Sequence, residues 1–394
     1  MEDTIARPVV RLRKKEEHRI LGGHLWVFSN EIQEISGSPA AGDPVCVESA
    51  RGRTIGFGFY NPRSLIACRI LAPLPTPVDR EFFRARLAEA LALREKLYGG
   101  EQVYRMVHGE SDFLPGLVLD RFGSTVCLQS SCLGMEQRLG LILEALDTLV
   151  DARAVIERNE TGLRIPEGLP LRSGVLRGTG EPVEISEHGI RYLVDPLHGQ
   201  KTGFFLDQRE NRLLIRRFAP GADVLDCFCH DGGFALNACR GGARSALGLD
   251  SSADAVGRAV RNAVLNDIPS ARFEEADVFE RLAAFAEAGR QFDLVVLDPP
   301  SFARNRKSFP TARKGYRELH TRALRVLPRG GILMTASCSH HMDPGAFLSL
   351  ILEAAGRADR RLQLLDWRGA APDHPVLPPM PETQYLKMGV FRAL

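Results

Sequence analysis

From Asp195 onward the chain alternates short apolar runs with helix-patterned segments, and this rhythm constrains the fold more than any other feature. The runs DVLDCF (223–228), RSALGLD (244–250), ARFEEAD (271–277), FDLVVLDPP (292–300) and GGILMTASCS (330–339) have strand length. Between them stand GFALNACRGG, SADAVGRAVRNAVLND, VFERLAAFAEAG and ARKGYRELHTRALRVL, whose apolar residues recur at helical spacing. Strands joined by helical crossovers predict an α/β domain with a mostly parallel, doubly wound sheet of Rossmann-like type. Such sheets bind ligands beyond the carboxyl ends of their strands.

Acids recur at those ends. Asp226 closes the first run, and Gly232, Gly233 and Phe234 follow where a helix begins; glycine there lets a ligand approach the backbone. A nicotinamide site would carry GxGxxG directly after the strand, and Cys227 to Asp231 interrupt that spacing. Asp250 ends the second run, placed to accept from the two hydroxyls of a ribose. Asp277 follows the third, placed to accept from an adenine amino group, and Asp298 opens an Asp-Pro-Pro after the fourth. This ordered recurrence resembles class I S-adenosylmethionine-dependent methyltransferases, and the resemblance implies S-adenosylmethionine as cofactor.

At 394 residues the chain predicts two or three domains. Residues 1–75 read as short strands punctuated by glycine and proline, which fits a small β-barrel. LAPLPTPVD, with prolines at 73, 75 and 77, reads as a linker, and EFFRARLAEALALREKL (81–97) as an amphipathic helix opening a middle α+β domain over 76–190. Within it a helix is expected near 136–150 and a hairpin at PVEISEHGIRYLVD; the catalytic domain then takes 191–394. No apolar run reaches bilayer length and no hydrophobic signal core follows the N-terminal charges, so the expectation is a cytoplasmic protein with no membrane association. Eight cysteines without CxxC or zinc-like spacing predict free thiols and no metal site.

The net charge of +2 is too small to announce a nucleic-acid partner, so its distribution matters more. Between Arg304 and Arg317 stand Arg304, Arg306, Lys307, Arg313, Lys314 and Arg317, with no acid. A solvated helix face is the plain reading; the run begins beside Asp-Pro-Pro, which favours phosphate contact next to a flipped base.

Amino-group methyltransferases commonly set an aromatic directly after Pro-Pro. Here Asp298-Pro299-Pro300 is followed by Ser301, with Phe302 one residue late. The companion feature is Cys338, at the end of GGILMTASCS. C5 of cytosine is a poor nucleophile and needs activation: a thiolate adding to C6 turns C5 into an enamine carbon, and loss of the C5 proton later expels the thiol. Asp298 would hold a proton near N3 and stabilise the adduct. Cys227, Cys229 and Cys239 read as packing residues, and His340 and His341 as exposed loop histidines.

GHLWVFSNEI, AGDPVCVESARGRTIGFGFYNPRS, YRMVHGESDFLPGLVLDRFG, IERNE, GQKTGFFLDQRENR, VLDCFCHDGGF and LDPPSFARNRKS with SCS together resemble the bacterial 23S ribosomal RNA cytosine-C5 methyltransferases that carry an N-terminal PUA domain. The resemblance implies a PUA barrel for RNA docking and cofactor contacts from Lys201, Thr202, Phe204, Asp207 and Arg209. It also implies substrate contacts from Pro299, Pro300, Ser301, Phe302, Arg304, Arg306 and Lys307. Many other RNA cytosine-C5 enzymes carry a second cysteine after their proline dipeptide, where this chain has Ser301. The implied partner is 23S ribosomal RNA or a large-subunit assembly intermediate, and a homodimer stays open. Two rivals remain at this point: an enzyme acting on guanine N7 or an amino group without a covalent step, and a non-catalytic RNA-binding or ribosome-assembly factor.

Overall fold

Val10, Leu12, Val27, Val45 and Val47 alternate with less buried neighbours and are themselves fully buried, as strands covered on one face require. In the computed structural model, which describes residues 7–302 and 309–394, they lie on β1 (Val9–Leu12), β2 (Trp26–Phe28) and β4 (Pro44–Glu48). With β3 (Ile32–Ser36), β5 (Thr54–Tyr60) and β6 (Ile66–Ala72) these form a sheet in the order β2-β6-β5-β4-β1-β3. The β1–β4 pair is parallel and the others are antiparallel. Helix α1 (Glu17–Leu21) connects β1 to β2.

Residues 73–79 form no helix or strand. Asp79 then accepts from the Phe82 amide at 2.9 Å and starts α2 (Arg80–Tyr98), which Gly99 ends with φ 37°. Phe83, Leu87, Ala90 and Arg94 are its buried stripe. The next sheet has the order β11-β10-β9-β8-β7, built from β7 (Val103–His108), β8 (Leu117–Phe122), β9 (Thr125–Ser130), β10 (Ala154–Asn159) and β11 (Arg172–Arg177). Helices α3 (Leu133–Glu136) and α4 (Leu139–Asp147) follow β9, in the region where a helix was expected.

These elements, with Val194–Leu206 and Pro372–Thr383, make one compact unit. Its distinctive HGESDFLPGLVLDR stretch supplies three acids that neutralise buried and half-buried arginines. Glu110 accepts from Arg69 at 3.0 Å and Asp120 takes both ends of Arg105 at 2.8 and 2.9 Å. Asp112 grips the fully buried Arg94 at 2.6 and 2.8 Å, and Arg94 also donates to the Asp373 carbonyl.

The second unit holds Glu184–Leu193, Asp207–Ala371 and Gln384–Leu394. A two-stranded sheet of β12 (Val183–Glu187) and β13 (Ile190–Val194) precedes α5 (Arg209–Leu214). The predicted alternation follows as β14 (Asp223–Cys227), α6 (Gly233–Arg240), β15 (Ser245–Asp250), α7 (Ala253–Leu265), β16 (Ala271–Glu275), α8 (Val278–Glu287), β17 (Leu294–Leu297), α9 (Phe309–Arg325) and β18 (Ile332–Ser337). Then come α10 (Pro344–Arg357), β19 (Leu362–Arg368) and β20 (Lys387–Ala393). The sheet order is β16-β15-β14-β17-β18-β20-β19, parallel from β16 to β18, with β20 inserted antiparallel. Period-two alternation sends Leu225, Leu249, Val295 and Leu333 into one core cluster and Val224, Ala246, Val296 and Met334 into the other. Among the described residues no helix is long and apolar enough to cross a membrane, and all eight cysteines are free thiols.

Replacing Asp112 with alanine leaves the Arg94 guanidinium buried without its carboxylate, and should cost about 3–5 kcal/mol in urea unfolding. Removing Asp151, whose pair with Arg153 is exposed, should cost less than about 1 kcal/mol. Equal costs for the two variants would contradict this account of the arginine cores.

Candidate active site

Order reverses in the second unit between β14 and β17, and the crevice at their carboxyl ends is where a doubly wound sheet takes its ligand. The turn leaving β14 is strained. Phe228 and His230 both adopt positive φ, 64° and 46°, at roughly 1–2 kcal/mol each. The strain is tied down by Asp250 at the end of β15: its Oδ2 accepts from the His230 amide and its Oδ1 from the Ser252 amide, each at 3.0 Å. Asp250 stays half-exposed, and each oxygen retains acceptor capacity.

Gly232 and Gly233 have a structural reason that differs from the expected one. A Cβ at Gly232, which has φ 80°, would lie 2.7 Å from the Phe273 ring, and a Cβ at Gly233 would lie 2.5 Å from Arg212 Cδ. Both contacts are with protein atoms, so packing alone demands glycine here. Arg212 is itself clamped by Glu187 at 2.8 and 2.7 Å. Phe234 is buried in the core cluster beneath α6.

Asp226 is fully buried rather than lining the crevice. Its Oδ2 accepts from the Ala235 amide at 3.0 Å, capping α6 from below, and its Oδ1 has no hydrogen-bond partner among the described residues. Burial pushes its carboxyl up to about 7; the Ala235 hydrogen bond opposes this, and the charges of Asp298 and Asp250 add to it. Asp277 is exposed and caps α8 through the Glu280 amide at 3.0 Å.

At the neighbouring strand ends, Asp298 follows β17 and accepts from Gln208 Nε2 at 3.0 Å. Asn211 donates to Gln208 Oε1 at 2.7 Å and orients that amide. Asp207 is buried and accepts from the Tyr385 hydroxyl at 2.6 Å; Arg209 is fully buried, 3.8 Å from Glu210. Cys338 lies one residue beyond β18, half-exposed. Tyr316 ties the two expected catalytic groups to one locality: its hydroxyl sits 3.1 Å from Ser337 Oγ and within electrostatic reach of both Cys338 and Asp298. Burial is the main reason its phenol is pushed up to about 12, so it is a neutral neighbour near pH 7.

The remaining expected residues are distributed otherwise. Lys201, Thr202 and Phe204 belong to the first unit, where Thr202 Oγ1 donates to Asp120 at 2.6 Å and Lys201 Nζ stands 4.7 Å from the Phe205 ring centroid. Pro299 is buried, Pro300 exposed and Ser301 half-exposed. Phe302 packs against Tyr316 and Phe279, with ring centroids at 4.7 and 6.4 Å. Arg304, Arg306 and Lys307 lie outside the described residues. Farther along the basic run, Arg313 and Arg317 pair with Glu353 of α10 at 2.7 and 3.5 Å, a compensation the local sequence hides. Cys227 and Cys229 are buried and their thiols are raised by burial, as packing residues would be. Gln208, Tyr316 and Tyr385 were not singled out in sequence. Gln208 stood inside the GQKTGFFLDQRENR stretch, whereas the two tyrosines had no local signal.

An unfolded aspartate titrates near 3.9. From about pH 4 to pH 7 the folded protein therefore keeps a proton on Asp226 that the unfolded chain has lost, and stability falls as pH rises through that window. Asp226→Asn retains an acceptor for Ala235 and removes the loss. Its stability relative to the parent should grow between pH 4 and pH 7 and level off above, in urea midpoints at fixed salt. A pH-independent difference would contradict the burial of a titrating carboxyl here.

Comparison with known proteins adds the family. A model of PUA-like domains matches residues 10–73, and one described as S-adenosylmethionine-dependent methyltransferase matches 169–392. Ribosomal RNA large subunit methyltransferase I of Tolumonas auensis is 39% identical over 98% of this chain and 99% of its own. The Shigella dysenteriae protein of that name is 37% identical over 95% and 96%. Among solved structures, a Streptococcus mutans chain assigned to the SAM-dependent methyltransferases superposes with TM-score 0.84 at 20% identity, covering 98% of this chain and 99% of that one. A methyltransferase complexed with SAH superposes at 0.85 and 21%, with the same coverage. At those identities the structures speak for the fold alone. With strand order, relatives and family model in agreement, this chain belongs to the family of S-adenosylmethionine-dependent methyltransferases whose curated members are named ribosomal RNA large subunit methyltransferase I.

Proposed function

We propose that this protein methylates C5 of a cytosine in large-subunit ribosomal RNA, the 23S molecule or an assembly intermediate containing it, through a transient thioether between Cys338 and C6. The observation that supports this most is the setting of Cys338. It is a half-exposed thiol just past β18, beside the strand that delivers Asp298, while every other cysteine is buried except Cys239 on α6. The names of the relatives support the ribosomal RNA substrate, and the PUA-like match supports RNA docking by residues 1–75. In this reading residues 76–190 form the middle domain, residues 191–394 carry the chemistry, and the protein works in the cytoplasm.

S-adenosylmethionine supplies an electrophilic methyl group when bound. Asp250 fits its ribose, because two backbone amides fix the carboxylate and leave acceptor capacity for a diol. Asp277 keeps an oxygen beyond the one that caps α8, which suits an adenine amino group. We assign Lys201, Thr202, Phe204, Asp207 and Arg209 to the methionine end. Asp226, Gly232, Gly233 and Phe234 then act beneath the turn, setting its shape.

For the cytosine, the Cys338 thiolate adds to C6 and its electron pair forms the C–S bond. Asp298, held by Gln208, donates a proton toward N3 and offsets charge on the ring. C5, now an enamine carbon, takes the methyl group; loss of the C5 proton restores the double bond and returns the pair to sulfur, and the N3 proton goes back to Asp298 to leave a neutral base. Pro299 and Pro300 fix the carboxylate's backbone. Arg304, Arg306 and Lys307 serve the phosphates beside the flipped base.

Cys338→Ser keeps nearly the same shape, but a hydroxyl of high pKa supplies almost no anion near neutral pH. Methyl transfer to ribosomal RNA, read by nucleoside mass spectrometry, should fall by several orders of magnitude while S-adenosylmethionine affinity is kept. A rate close to the parent's would return the chain to direct transfer onto guanine N7 or an amino group.

Asp250→Ala should weaken S-adenosylmethionine binding by about 1–3 kcal/mol in calorimetry, since the ribose loses a charge-assisted acceptor pair. Unchanged affinity in a folded variant would overturn the assigned strand-end roles. No binding to the parent protein would favour a non-catalytic RNA-binding factor.

A further inference from the structure

A nucleophilic Cys338 needs a reason to ionise, and the structure offers one on the neighbouring strand. β20 runs antiparallel to β18, and its first residue, Lys387, stands opposite Ser337, the residue before Cys338. The lysine is 2% exposed. Its Nζ donates to the carbonyl of Ser339, the residue after Cys338, at 2.6 Å, and to the Tyr385 carbonyl at 2.7 Å. Cys338 is therefore bracketed, by a strand partner on one side and by a hydrogen bond from the same lysine on the other.

Both of these acceptors are neutral carbonyls, and among the described residues no carboxylate stands within ion-pair distance of the ammonium. Among the described residues, the charged or titratable groups within electrostatic reach of it are the Cys338 sulfur and Asp343, which caps α10 through the Ala346 amide at 2.9 Å. His340 and His341, on the same loop, are exposed. Burial pulls Lys387 down to about 8, and Cys338 and Asp343 pull the other way. A buried cation of this kind lacks a close counter-charge until the thiol gives up its proton.

We infer that Lys387 is a positioning residue that fixes the Cys338 loop and stabilises the Cys338 thiolate, an inference that rests on the reading of Cys338 as nucleophile. The thiol proton leaves to solvent and the electron pair stays on Sγ beside the ammonium. When loss of the C5 proton expels sulfur from the adduct, the same cation stabilises the leaving thiolate, so one residue assists both the making and the breaking of the C–S bond. Arginine would keep the charge; methionine would keep the bulk without it.

The test is alkylation of the full-length protein by iodoacetamide across pH, with labelling at Cys338 read by peptide mass spectrometry, for the parent, Lys387→Met and Lys387→Arg. The parent's inflection should lie below the ordinary thiol value of about 8.5. It should rise by about one pH unit or more in Lys387→Met and be largely restored in Lys387→Arg. The acid limb of single-turnover methylation should move with it. A parent inflection at or above the ordinary value, or one that Lys387→Met leaves in place, overturns the inference; the parent profile decides alone if the methionine variant does not fold. Loss of methylation in Lys387→Arg with unchanged Cys338 ionisation would also overturn it, pointing to the free amine as a proton acceptor. The nucleophile reading fails separately: Cys338→Ser would then methylate normally, whatever the alkylation profile.

Discussion

The pairing of β14 with β15 on one flank and β17 on the other is the constraint on which the rest of the catalytic unit depends. Parallel strands bonded on both sides have no freedom of register, so Asp250 and Asp298 emerge at fixed levels on either side of β14. The turn between β14 and α6 must fit within that gap. It does so with two non-glycine residues at positive φ, a glycine pressed against Phe273, and an amide held by Asp250. Beneath it lies Asp226, whose buried carboxyl caps α6 and is best accommodated with a proton on it. Strain in the turn is thus opposed by the hydrogen bond from His230 to Asp250, while the sealed Asp226 holds the first turn of the helix that follows.

The antiparallel insertion of β20 does a second job. It completes the sheet beyond β18 and brings the end of the chain back to the strand-end loops. Tyr385 then reaches Asp207, and Lys387 reaches the carbonyl after Cys338. Groups far apart in sequence are held by one strand that is itself paired on both edges. The proposed nucleophile therefore sits on a loop fixed from three sides: β18 before it, Lys387 across it, and Tyr316 packed beneath Ser337.

Much of this was legible in the sequence, because alternation of apolar runs and helical spacing survives without tertiary knowledge. The strand ends carrying Asp226, Asp250 and Asp298, the proline linker and helix α2 were read from local pattern. What escaped was long-range pairing. Nothing near Arg313 or Arg317 shows that Glu353 will meet them, so a run with six basic residues looks more positive than its described part is. Nothing near Asp373 shows that it joins Arg94 and Arg105, 279 and 268 residues earlier. Burial was equally hidden: Asp226 and Asp250 look alike as strand-end acids, yet one is sealed under the turn and the other half-exposed. For Gly232 and Gly233 the sequence suggested room for a ligand, and the atoms that require them are a phenyl ring and an arginine stem.

The central claim is a covalent bond between this protein and its base. Fluorine at C5 cannot leave as a proton does, so methylated 5-fluorocytosine stays attached to the nucleophile. Ribosomal RNA carrying 5-fluorocytosine, incubated with the protein and S-adenosylmethionine, should yield a denaturation-resistant complex whose digested peptide carries the nucleotide on Cys338. The account is contradicted if protein fully active on ordinary RNA forms no such complex, or if the nucleotide is found on another residue.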